Sequence, residues 1–468
     1  MGNPVSDADS RRGIGRSRVE LGKIGGARLP SPAESYPYTS KLSSRDHRRN
    51  FRLGVINGAL FRIGDVFIDT EMVLTWFLAQ LGASNVLIGL ISPIRFGGSF
   101  LLQMLVSGHM ERVPYKLPFY RTISIFRVIA LLLFAVVVAL VPVGSPWLII
   151  TFFAVLTFFS IGAGLVSIPF MDVVGKVVPP RRRGSFFGQR MFWGGLLTLA
   201  GSSVVGFLLA EPDGFRFPLN VALLFVFAAI LFGATAWSWI LVKEPPSSTS
   251  NVAGQRILRE ITTQLGRGIK ILKDDKLYQR YSIVRLALTA ATWAAPFYIV
   301  YARNELGIPA SMLGLYLAVR SGAEIVSNLM WARISDGLGN RKVIILTNAL
   351  GLATPTVVLA IGLMNRLQPS STDWLSYAFA LVFLTAGLYS AGSGIGITNY
   401  VLDLAPEAQR PLYLAFTNTL FGLARFTGML SGLIVDWLGF DVLMLSSVVF
   451  SAVALIASFS MGEPRSAR

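Results

Sequence analysis

Residues 80–117, QLGASNVLIGLISPIRFGGSFLLQMLVSGHMERVPYKL, and residues 305–342, ELGIPASMLGLYLAVRSGAEIVSNLMWARISDGLGNRK, align without a gap at a shift of 225. Leu81 and Gly82 meet Leu306 and Gly307, Gly89 and Leu90 meet Gly314 and Leu315, Arg95 meets Arg320, and Gly97 meets Gly322. Polar Gln103 meets Asn328, Glu111 meets Asp336, and Lys116 meets Arg341. Shared hydrophobicity alone does not bring rare polar residues into register, so the chain reads as an internal duplication. A second correspondence, at a shift of 227, joins Pro179, Arg183, Gly195 and Gly201 to Pro406, Arg410, Gly422 and Gly428.

The duplicated segments lie in a chain of 468 residues that is 53% hydrophobic and only 14% charged; soluble domains run at about 45–50% and about 25%. Val128–Leu140 and Leu148–Phe159 sit inside runs of the roughly 20 apolar residues that cross a hydrocarbon core of about 30 Å as a helix. Run length selects helices over a β-barrel. Twelve spans are expected near 53–78, 86–107, 119–141, 147–170, 187–210, 219–242, 281–302, 310–331, 343–364, 374–398, 412–435 and 440–461. Even-numbered loops carry Arg112, Lys116 and Arg121; Lys176 and Arg181 to Arg183; Arg333, Arg341 and Lys342; and Arg410, whereas loops 81–85 and 142–146 carry no Lys or Arg. The positive-inside rule then predicts a multi-pass protein of the cell (plasma or inner) membrane with both termini cytoplasmic.

A net charge of +17 would point to nucleic acid in a soluble protein, but here most of it lies between spans, so no nucleic-acid partner is expected. The absence of cysteine excludes disulfides, Cys-ligated zinc and thiol catalysis. With only His47 and His109 as imidazoles, neither a metal nor a cofactor is expected. Residues 1–50 are Arg-, Ser-, Gly- and Pro-rich and read as a disordered basic tail. The charged stretch is too long for a cleavable signal peptide, and the first apolar segment carries Asp65, Asp69 and Glu71. Two six-helix bundles, 51–242 and 281–462, are expected around a linker, 243–280, with a short tail at 463–468. In the linker, Ile257, Ile261, Leu265, Ile269 and Leu272 recur at helical spacing with Arg259, Arg267, Lys270 and Lys273 around the rest of the wheel. This predicts an amphipathic helix lying on the lipid surface, the alternative being one packed against the bundles.

Each match pairs an even span with an even span, so the halves run parallel about an axis along the membrane normal, with any solute expected between them near the midplane. Ala332 to Lys342, ARISDGLGNRK, resembles the loop signature of the major facilitator superfamily between spans eight and nine, and Ser107 to Lys116, SGHMERVPYK, is a degenerate copy between spans two and three. The resemblance covers about 53 to 462 and implies an all-α fold of two six-helix bundles, a secondary transporter of a small solute working by alternating access, and conformational-switch loops at Glu111, Arg112, Lys116, Asp336, Gly339, Arg341 and Lys342. It implies that Asp336 meets the start of span five near Gly184, and Glu111 the start of span eleven near Pro411, steadying an outward-facing state. A carboxylate at a helix N-terminus gains about 0.3–1 kcal/mol. The plainer reading is a tight turn whose Arg341 and Lys342 only set topology.

An enzyme would need a nucleophile–base pair, metal ligands or paired carboxylates near water, and the sequence holds no HExxH and no Gly-rich phosphate loop. A transporter-like sensor or a lipid-handling protein is the alternative on the same fold. With no nucleotide-binding motif, transport is expected to run on a gradient of protons or another ion, in a monomer surrounded by lipid. Drug–proton antiporters of the family carry a Gly- and Pro-rich motif in span five; Gly194, Gly195, Gly201 and Gly206 come without proline.

Charges inside spans single out the site, because a charge at mid-bilayer costs at least about 2.5–3.5 kcal/mol and must face the interior and find a partner. Arg95 and Arg320 stand at matched depths, and Glu324, one turn from Arg320, is its expected partner. Arg62, Asp65 and Asp69 share one helix face, from which Glu71 points away. Asp65 and Asp69 are therefore expected either to bind a coupling proton or solute, one carboxyl protonated or held charged by Arg62 or Arg95, or to lock spans one and two. The 225 shift takes Arg62, Asp65 and Asp69 to Ala287, Ala290 and Ala294, so the second half folds without them. Trp76, Trp193, Trp293, Tyr298 and Tyr301 are candidates to line the solute path or to pack helices.

Overall fold

The computed structural model describes residues 42–97, 113–211, 215–247, 257–368, 371–406 and 409–464; Gln103, His109, Glu111, Arg112 and the tail to residue 41 lie outside them. Span one is Ser44–Val66 and Val73–Gln80, and span two runs from Asn85 to Ser92 into a π-helical turn, Pro93–Gly97. Spans three to six are Leu117–Leu140, Pro146–Val177, Pro180–Leu209 and Leu219–Ile240. Span seven is Lys276–Ala291 and Phe297–Leu306, and spans eight to ten are Met312–Leu338, Asn340–Leu367 and Thr372–Leu404. Span eleven passes from α-helix (Arg410–Ala424) through 3-10 turns (Arg425–Met429) to α-helix (Leu430–Leu438), and span twelve is Phe440–Phe459.

Among the described residues, nine helices of 20–33 residues are long and apolar enough to cross a membrane. The other three spans are one, which is interrupted; two, described only to Gly97; and eight, which carries Arg320, Glu324, Arg333 and Asp336. Spans four, five and ten extend beyond the expected ends, so Lys176 and Arg183 are helical rather than in loops. A proline in the first turn, where its missing N–H leaves no bond unmade, starts spans three, four and five.

The duplication is visible in the backbone. Gly82, between spans one and two, has φ 73°, and its repeat mate Gly307, between spans seven and eight, has φ 66°, a conformation only glycine adopts freely. Gly339 and Gly439, both at φ 86°, each reverse the chain in a single residue between two spans. Outward-facing Leu133, Phe207, Trp237 and Ile456 are all more than 60% exposed, an apolar girdle suited to lipid and unsuited to water.

Packing divides the molecule by depth. At the terminal face, where Asp46 pairs with Lys243 after span six and Arg280 donates to Ser460 O after span twelve, two apolar clusters stay separate. One, around Val55, Val173, Phe186 and Trp239, belongs to the first half; the other, around Tyr278, Tyr281, Tyr400 and Phe416, to the second. Toward the opposite face a single cluster joins both halves, from Phe77 and Phe134 to Tyr316 and Val435. There the backbones touch: a Cβ on Gly206 would stand 3.1 Å from Ser311 O and 3.2 Å from Gly314 Cα, and Gly432 abuts Asn85. Gly184, Gly188 and Gly337, near the terminal face, have open space beside them. The halves are closed at one end and parted at the other.

The linker helix, Ile257–Asp274, forms as its periodicity predicts. It does not simply lie on a lipid surface: Gly268 abuts Phe416, and Ile271 and Leu272 pack on the second-half cluster, while Leu265 and Ile269 stay exposed.

Candidate functional site

Span one stops being helical at Phe67, although no proline or glycine stands there. Asp69 organises the interruption: its Oδ1 accepts from the N–H groups of Glu71 at 3.1 Å and Met72 at 2.9 Å, closing the turn that leads into the second segment, as a short acidic side chain does by bonding its own backbone two residues on. The unwinding corrects one expectation. A continuous wheel points Glu71 away from Asp65 and Asp69; the turn swings it inward, and its Oε2 lies 2.9 Å from Arg320 Nη1.

All six residues expected at the site converge here. Arg95 donates to Asp65 Oδ1 at 2.8 Å, and Arg62 reaches across the halves to Glu324 Oε2 at 3.4 Å. Arg320 faces Asp69 at 3.8 Å and Glu324 at 3.6 Å, so its nearest partner is Glu71 and not the expected Glu324. Three of these pairs cross between the halves, around a small cavity of ≈ 130 Å³. Arg95 is 8% exposed and lies over the Phe159 ring at 5.1 Å; Arg127, overlooked in the sequence although it lies inside span three, stands over the same ring at 4.0 Å. Ring and guanidinium attract through the ring's negative face, which lets two cations sit close in an apolar core. Toward the opposite face, Arg303 donates to Gln80 Oε1 at 2.7 Å and Asn85 to Asp436 Oδ1 at 2.8 Å, both across the halves.

A larger cavity of ≈ 450 Å³ lies on the second-half side, and Glu71 and Arg320 border both. Trp293 and Tyr298 line it. Trp76 and Tyr301 do not reach it: they are 2% and 1% exposed in the joint core, Trp76 edge-on to Phe217 at 6.0 Å. Trp193 is half-exposed beside Phe192.

The loop residues divide. Asp336 is exposed at the end of span eight with no hydrogen bond or ion pair among the described residues, and open space lies beside Gly184. Their expected contact needs the terminal face closed, and here it is parted. The loop's polar contacts run within each half instead. Glu244, just past span six, accepts from Lys116 N at 2.8 Å and Leu117 N at 2.9 Å and pairs with Lys176 at 2.7 Å. Glu463, just past span twelve, accepts from Arg341 N at 3.1 Å, and Arg341 also donates to Phe459 O. A Glu-Pro pair after the last span of each half, Glu244-Pro245 and Glu463-Pro464, was the available signal. Gly339 turns the chain, and Lys342 is exposed.

The Major Facilitator Superfamily sequence model matches residues 281–468, the half that holds the better loop signature. The second half of the chain is thus similar in sequence to the Major Facilitator Superfamily model. The fold likeness spans both halves of the chain: a mutant form of nucleoside transporter NupG superposes with TM-score 0.66 at 13% identity, covering 88% of this chain and 98% of that one. A POT family transporter in complex with 5-aminolevulinic acid gives 0.64 at 11% identity over 88% and 95%, and a D-xylose-proton symporter 0.61 at 16% over 90% and 98%. No curated protein sequence matches the chain.

Proposed function

We propose that this protein is a secondary carrier of the major facilitator superfamily that moves a small solute by alternating access, caught with its terminal face open, and that protonation in the span-one cluster drives the exchange of faces. The observation that carries the reading is the set of ion pairs crossing between the halves, Arg62 with Glu324 and Arg320 with Asp69 and Glu71, at the level where a joined core gives way to parted bundles. Opening the opposite face separates these partners. A carboxylate leaving Arg320 in a low-dielectric setting is strongly disfavoured; the same carboxyl leaves easily once it carries a proton. The terminal face is then the cytoplasmic side of a plasma or inner membrane, 51–242 and 281–462 are the moving bodies, and 243–280 ties them. The chain is a carrier and not an enzyme, and it works as a monomer among lipids.

The test is transport by the purified full chain in proteoliposomes, with sugars, nucleosides, amino acids and carboxylates offered with and without an imposed proton gradient. Accumulation of at least one solute only under the gradient is expected, and Glu71→Gln should uncouple it. Binding without flux for every solute would mark a sensor.

A further inference from the structure

The larger cavity is lined by donors with nothing to donate to. Arg285, in the first segment of span seven, and Arg425, where span eleven turns from α to 3-10 geometry, both line it, and neither has an ion pair among the described residues. Arg285 lies over the Phe421 ring at 5.0 Å and Arg425 over Phe96 at 5.1 Å. Ring contacts of this kind compensate a cation less than burial in a membrane penalises it. The buried Arg285 Nε, Trp293 Nε1 and Ser92 Oγ, all on this cavity's wall, lack any hydrogen-bond partner. Guanidinium and indole nitrogens can only donate. The one carboxylate on the wall, Glu71, is already engaged by Arg320.

The neighbouring charged cluster makes the contrast. There, Arg62, Arg95 and Arg320 each hold a carboxylate; here, two cations and an indole N–H face a cavity whose one carboxylate, Glu71, is already taken by Arg320. Phe96, Phe383 and Tyr389 complete the wall with flat apolar surface. A cavity of this size suits a small ligand.

We propose that this cavity is a solute site for an organic anion, its carboxylate or phosphate head held by Arg285, Arg425 and the indole N–H of Trp293, and its apolar body set among the aromatic rings. The proposal rests on the carrier reading and names its substrate class. Fork-shaped guanidinium donors match the paired oxygens of either head group. Because Arg320 borders the same cavity, a bound anion also competes with Glu71 for it, which ties occupancy to the pairs between the halves.

The test is arginine modification of the detergent-purified full chain with phenylglyoxal, each site followed by peptide mass spectrometry. Unpaired Arg285 and Arg425 should react well before Arg95 and Arg320. Benzoate and phenyl phosphate should protect them, while benzamide, of the same shape as benzoate but uncharged, and chloride at equal ionic strength should not. Protection by only one of the two anions names the head group. Arg285→Gln should weaken protection of Arg425 by roughly tenfold or more, as loss of a charge-assisted bond does. Equal protection by benzamide or chloride, or no protection by either organic anion, overturns the proposal. Protection without uptake of the same anion in proteoliposomes sinks the carrier reading and leaves the site; uptake of neutral solutes without protection does the reverse.

Discussion

Spans one and seven are repeat copies that lose their α-helical path at the same place and for different reasons. In span one the interruption covers Phe67 to Met72 and is held by the Asp69 carboxylate. In span seven it covers Thr292 to Pro296, the same repeat positions, where Pro296 stands in the place of Glu71 and Ala290 and Ala294 in those of Asp65 and Asp69. A proline breaks a helix by removing a donor and clashing with the preceding turn, with no charge involved. The duplication kept the bend, and the first half alone furnished it with carboxylates that pair with Arg320 of the other half. A bend held by proline is permanent; one held by a carboxylate that also faces Arg320 can respond to a proton.

The hardest way to break this comparison is to take away the cation that the charged bend addresses. Arg320→Ala leaves Asp69, Glu71 and Glu324 facing one another without their common partner. The stability loss should be about 3 kcal/mol, the lower end for removing one member of a buried pair, because 21% of the Arg320 side chain meets the cavities. Thermal unfolding in detergent and solute uptake measure it, with uptake abolished. A variant with wild-type unfolding and uptake would reduce the cluster to decoration.

A sharper cut separates the two jobs of Asp69. Asparagine can close the same side-chain turn as aspartate, while alanine leaves the N–H groups of Glu71 and Met72 without that acceptor, at a cost of about 1–3 kcal/mol. Asp69→Asn should therefore unfold like the wild type and Asp69→Ala at lower temperature, yet both should lose proton-driven uptake. If Asp69→Asn keeps gradient-driven uptake, Asp69 only shapes the bend and coupling falls to Asp65 or Glu71.

Most of the site was legible because one physical rule exposes it: a charge within an apolar run must turn inward and find company. That rule picks out Arg62, Asp65, Asp69 and Arg95 in one half and Arg320 with Glu324 in the other; that the two sets meet is what the structure adds. Applied evenly, it also picks out Arg127, Arg285 and Arg425, each inside a predicted span, and passing over them left the larger cavity unseen. Glu71 was misplaced for a different reason. Its direction depends on a break that neither proline nor glycine announces, and a turn closed by the Asp69 side chain is hard to foresee within a segment that reads as one helix. The register of the halves was readable from Gly82 and Gly307 and their neighbours. Which end stands open was not, since that turns on the balance of contacts between two packings of the same sequence.

The mildest perturbation lies at the other end of span one. Ser43 and Asp46 form a capping box, and Asp46 also accepts from Lys243 Nζ at 3.0 Å; the corresponding end of span seven is capped by Asp275, which accepts from Leu277 N and Tyr278 N. The Lys243 ammonium and then the Ser43 hydroxyl draw the Asp46 carboxyl from 3.8 down to about 2. A depressed carboxyl favours the folded state above its unfolded value and loses that contribution only as pH falls through the folded one. Between about pH 5 and about pH 7 the pair is thus fully ionised and cannot change. Asp46→Asn should keep the wild-type pH profile of uptake across that window, with at most a small uniform drop in thermal stability, as expected of a surface pair. A shifted profile in this variant would move the pH-sensing element out of the membrane and onto the contact between the first and sixth spans.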